Sequence, residues 1–160
     1  MEVRNLVGAG KYTEQRTGKN DTEAPSNAAE QNVAAVKAFY AAMGAGKPEH
    51  ATEILDASAI TLYEAESLPV GGEWRGLDGL QRLTARHAAM WTDVAFEFLQ
   101  IAAAGDLVFV YGRLSQRARK TGSKIEMLMI EVWRFLDGKA IEIRPIHWDT
   151  MAMVRALGEG

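Results

Sequence analysis

No cysteine occurs among the 160 residues, and this absence removes disulfide scaffolds, thiol nucleophiles and cysteine-ligated zinc together. It permits a reducing compartment. Proline is scarce, at four residues; Pro25, Pro48 and Pro69 read as a boundary, a helix start and a loop. Long hydrophobic runs are missing too. None reaches the roughly 18–20 residues of a membrane span, and MEVRNLVGAGKYTEQRTGKND at the start lacks the apolar segment of a signal peptide, so a cytoplasmic protein with no membrane partner is expected. Positive charge is not in excess. Lys and Arg number 18 against 21 Asp and Glu, a net charge of −3, and they are scattered rather than gathered into a stripe that could follow a phosphate backbone. Nucleic acid is therefore not an expected partner.

What remains is an ordinary globular composition, 48% apolar and 24% charged, in a chain long enough for one domain with its own core. Residues 1–28 are rich in Gly, Thr, Lys, Asn and Glu and have almost no apolar period, which predicts a flexible N-terminal arm ahead of a domain at 29–160. Val33, Val36, Phe39, Tyr40 and Met43 then recur at helical spacing until Gly44 and Gly46. A short helix at 48–55 follows, then a strand at 57–66, a Pro/Gly loop at 67–76 and a helix at 77–90. Four long strands, at about 93–103, 106–119, 123–136 and 139–149, are punctuated by Gly105-Asp106, Thr121-Gly122 and Asp137-Gly138, and a short amphipathic tail at 150–157 ends the pattern. Helices first and an antiparallel meander after is an α+β plan.

Within the meander, KIEMLMIEVWRFLDGKAIEI at 124–143 carries one acid, Glu131, in an otherwise apolar run. Met127, Met129 and Trp133 share its strand face, and Leu128, Ile130 and Val132 fill the other, so both faces are expected to be covered. A buried carboxylate needs a partner, a pocket or a raised pKa; ion pairing with Arg113 or Arg144 is the purely structural alternative. The apolar second face predicts a homodimer through the outer side of the sheet. Other motifs are weaker. GAGK, at 8–11 and 44–47, lacks the spacing of a phosphate loop, and His50, His87 and His147 share no metal-ligand spacing. Neither cofactor nor metal is expected.

The order of elements, with SLPVGGEWRGLDGL at 67–80, EVWRFLDGKAIEI at 131–143 and HWDTMAMVRALG at 147–158, resembles the NTF2-like superfamily, and within it the SnoaL-like group related to polyketide cyclases and ketosteroid isomerases. The resemblance implies a cone, a curved antiparallel sheet wrapped around three N-terminal helices, with an apolar pocket for a small hydrophobic ligand. It implies Glu131 as an acid facing the pocket and Glu64, in TLYEAE, as a base. The isomerase tyrosine matches Phe39 rather than Tyr40, and the cyclase aspartate matches Pro145, with His147 and Asp149 as substitutes on the same strand. Tyr63, Trp74, His87, Trp91, Met129 and Trp133 are the expected pocket residues. The function these residues suggest is cofactor-independent proton transfer next to a carbonyl, by an isomerase or cyclase; a non-catalytic ligand-binding module is the alternative.

Overall fold

The computed structural model describes residues 27–159. Ten elements follow in order: α1 (Asn27–Gly44), α2 (Pro48–Thr52), β1 (Thr61–Glu64), β2 (Gly72–Arg75), α3 (Gly76–Met90), β3 (Trp91–Ala104), β4 (Leu107–Ala118), β5 (Lys124–Leu136), β6 (Lys139–His147) and α4 (Thr150–Leu157). The predicted arm, 1–28, lies outside the described residues except for its last two, which begin α1. The loop expected at 67–76 contains β2. Four residues are too few to show a period, so pairing with β1 and not sequence pattern makes this stretch a strand.

The six strands form one sheet in the order β2-β1-β6-β5-β4-β3. Every pairing is antiparallel except β1 with β6, where Leu62 lies beside Ile143. Asp137 and Gly138 both have positive φ, 49° and 75°, the backbone that a two-residue hairpin turn between β5 and β6 requires. Two register shifts in β3, between Thr92 and Ala95 and between Phe98 and Gln100, bend that strand. At Gly112 a Cβ would come within 2.2 Å of Cζ of Phe96. The missing side chain therefore lets the Phe96 ring lie across β4.

The inner face of the sheet carries Val108, Val110, Met127, Met129, Trp133, Phe135 and Ile143, all buried, packed against Val36 of α1, Leu83 of α3 and Met153 of α4. Alternate residues of β4 and β5 are buried accordingly. The outer face of β5 is left uncovered by the described residues: Leu128 is 37% and Ile130 39% exposed. Among the described residues, helices cover one face only, and the other is open.

Candidate functional site

Alternation along β5 puts Glu131 on the inner face with Met129 and Trp133, opposite Val110 of β4 and Pro145 of β6. Among the described residues it pairs with no arginine. Arg113 lies on the outer face, against Glu97 and Glu126, and Arg144 meets Glu142. Instead, one oxygen of Glu131, Oε2, accepts hydrogen bonds from the Tyr40 hydroxyl and, at 3.0 Å, from the indole N–H of Trp133. Burial pushes the Glu131 pKa above the ordinary carboxylate range; the two donors and His147 oppose that rise, and the neighbouring charge of Glu64 adds to it. Tyr40 is held protonated, first by its own burial and then by Glu131. With both donors on Oε2, Oε1 is the oxygen that carries the proton when the group is neutral.

Tyr40, not Phe39, is thus the first-helix residue that reaches the acid, and the expectation at that position is corrected. The signal lay in the helical stripe, since Tyr40 follows Val33 and Val36 at spacings of seven and four. Phe39 stands beside it, edge-on to Trp133 with ring centroids 4.9 Å apart.

A second group forms where β1 runs alongside β6. His147 Nε2 lies 3.4 Å from Glu64 Oε2, and their side chains are only 7% and 11% exposed. His87, from the last turn of α3, shares a small cavity with this pair, walled also by Met90 and Trp91. Burial lowers the His87 pKa, with Glu64 opposing and His147 reinforcing that effect. The imidazole is neutral at pH 7.

The remaining expected site residues fall elsewhere. Tyr63 faces outward, since it alternates with Leu62 and Glu64, and the Arg144 guanidinium lies 3.7 Å from its ring centre; it is not a pocket donor. Asp149 caps α4, accepting from the Ala152 N–H at 2.8 Å and facing Arg155 at 3.7 Å, so a helix start occupies it. Trp74 packs on the inner core and donates to the Val70 carbonyl at 2.9 Å. Met129 is buried beside His147. Among the described residues no group of three His, Asp or Glu side chains could hold a metal ion.

A family model describing a SnoaL-like domain matches residues 36–143. The chain belongs to the SnoaL-like domain family. Among solved structures, this SnoaL-like chain is similar to an NTF2-like protein from Burkholderia thailandensis, at 28% identity over 79% of this chain and 96% of that one, with a TM-score of 0.73. It is also similar to TerC co-crystallised with polyporic acid, at 21% identity over 80% and 98% of the two chains and a TM-score of 0.72. A candidate SnoaL-like polyketide cyclase from Jannaschia sp. aligns at 18% identity over 86% and 99%, with a TM-score of 0.72. The last two likenesses establish the NTF2-like fold alone. No curated protein sequence matches the chain. No helix among the described residues of this SnoaL-like domain is long and apolar enough to cross a membrane.

Proposed function

We propose that the SnoaL-like domain is a cofactor-independent acid/base catalyst that moves a proton next to the carbonyl of an apolar compound. One observation carries this reading: Glu64 and Glu131 occupy the inner face of one sheet in opposite environments, Glu64 against an imidazole and Glu131 desolvated beneath two donors. Such a pair separates the roles of base and acid. Glu64 takes the proton from the carbon beside the carbonyl. Electron density shifts to the carbonyl oxygen, and the neutral Glu131, through its Oε1 hydrogen, donates to the enolate that forms. Return of that proton to another carbon completes an isomerisation; return of a solvent-derived proton to the same carbon, after the one on Glu64 has been replaced from water, completes an exchange. The substrate's apolar body is assigned to the groove of about 650 Å³ between α1, α2 and α3, lined by Phe39, Leu55, Leu77 and Leu80, a volume within the usual ligand range. Phe39 borders both this groove and the Trp133–Tyr40 cluster, so its ring is the side chain that must swing for a ligand to pass.

The test is deuterium incorporation into 2-tetralone, an apolar ketone with acidic C–H bonds, followed by NMR in D2O. The native protein should accelerate it over buffer, and Glu64→Gln should lower the rate by about 10²–10⁴. Equal rates in the two proteins would end the proposal. A binding module is favoured by one specific observation: the ligand-sized groove is lined by neither Glu64 nor Glu131, and the cavity at Glu64 offers only about 20 Å³. A raised melting temperature with apolar ketones, without exchange, would select that reading. For the open outer face, a second copy of this chain is the proposed partner.

A further inference from the structure

The cavity enclosed by β1, α3, β6 and α4 is too small for an organic ligand, yet three ionisable side chains, Glu64, His87 and His147, stand in its otherwise apolar wall. The unused nitrogen of His147 gives that combination a meaning. Nε2 faces Glu64, whereas Nδ1, on a side chain only 7% exposed, is buried with no hydrogen-bond partner among the described residues. An unpaired buried polar atom costs roughly 1–3 kcal/mol, and native interiors satisfy nearly all of theirs with protein or ordered water.

The tautomer decides what kind of partner is missing. With a carboxylate before it, Nε2 carries the proton and donates; in a neutral imidazole Nδ1 is then an acceptor. It requires a donor. A buried water needs roughly 10–15 Å³ of free space and two or more polar contacts, and the cavity supplies about 20 Å³. One water fits and little else does. The second contact is assigned to His87, which lines the same cavity, makes no hydrogen bond to protein among the described residues and is neutral for the reasons given above.

We infer that a single buried water belongs to the folded domain at this point, bridging His87 and His147 and donating to Nδ1 of His147. His87 then acts as a positioning residue. It holds the water, the water fixes the Nε2–H tautomer of His147, and that N–H fixes the orientation of the Glu64 carboxylate. This last consequence rests on the proposed role of Glu64 as base; the water site itself does not. Glu64, His87 and Trp91 also line an open depression of about 440 Å³ on the outside of the domain. These three side chains are therefore the partition between the water and bulk solvent, and their motion sets how fast it exchanges.

A high-resolution crystal structure and 15N spectra of the imidazoles, taken together, test the inference. Expected are a spherical density peak within hydrogen-bond reach of Nδ1, and a single Nε2–H tautomer for His147. In His87→Leu that tautomer should become mixed, and exchange of 2-tetralone should fall about tenfold, the usual scale for loss of a residue acting through a ligand; His87→Gln, which can still hold water, should restore both. An empty cavity, or a native His147 protonated on Nδ1, overturns the site. A tautomer unchanged in His87→Leu overturns the role of His87. If that variant does not fold, the native density and spectrum still decide. A water in place in a protein without exchange activity would refute the base role of Glu64 and leave the site standing, and the converse result would do the reverse.

Discussion

Glu131 is the residue on which stability and chemistry meet. Its pKa is raised on folding by burial, so the folded state binds its proton more tightly than the unfolded chain does. The sign follows from linkage: the contribution is complete below the ordinary glutamate pKa and is lost as pH climbs through the folded value. Each tenfold change in proton affinity is worth about 1.4 kcal/mol. In Glu131→Gln the amide oxygen can still accept from Tyr40 and Trp133, and nothing titrates. The variant should therefore melt at or above the native temperature and lose the native protein's decline as pH rises above the ordinary glutamate pKa, while proton transfer is abolished. Thermal melts across that range check this. A loss of several kcal/mol in the variant would mean that Glu131 is ionised and paired, as in a broken buried ion pair. The sequence made Glu131 conspicuous because an acid in an apolar strand has few reasons to be there. It could not settle Tyr63 against Glu64 on its own. Adjacent strand residues point to opposite faces, so only one of them could face inward, and the choice rested on how β1 meets β6.

The element scale repeats that division between period and partner. Long segments were legible: α1, α3 and the four meander strands stand within a few residues of their predicted bounds, because each carries enough side chains for a periodic apolar face to emerge. Short ones were not. β2, at four residues, exists through its ladder to β1, and the first strand shrinks from ten predicted residues to four. On α1, Phe39 and Tyr40 are both aromatic and about 100° apart around the helix, so the rotation of the helix against the sheet, a tertiary fact, decides which reaches Glu131. Asp149 illustrates the converse confusion. An acid just before a helix satisfies a backbone N–H as readily as it serves a pocket, and here the cap prevails. His147 was within reach of sequence reasoning, as the inward residue of the last strand, but its distance from Glu64 was not.

For the whole molecule, the unresolved surface is the outer face of the sheet. Tyr111, Ile130 and Ile146 lie side by side across β4, β5 and β6, with exposures of 38%, 39% and 56%, and Trp148 beyond Leu128 is 83% exposed. Apolar patches larger than roughly 300–600 Å² are rare on soluble monomers, and a self-complementary pairing across this row would bury one. Light scattering at micromolar concentration should give a dimer mass, and Ile130→Glu should give a monomer with unchanged ketone exchange. A monomeric native protein refutes the pairing. The parallel contact of β1 with β6 has a further consequence, in time rather than in space. β3 to β6 are joined by tight turns and pair between neighbours in sequence, whereas Tyr40 meets Glu131 across 91 residues and Glu64 meets His147 across 83. Distant partners must wait for the larger loop to close. On dilution from denaturant the strand signal in circular dichroism should therefore recover before ketone exchange does, and recovery of both in one phase would contradict this order. Until β1 docks, β6 presents an unpaired edge, and it is during that interval that the chain is most prone to aggregate.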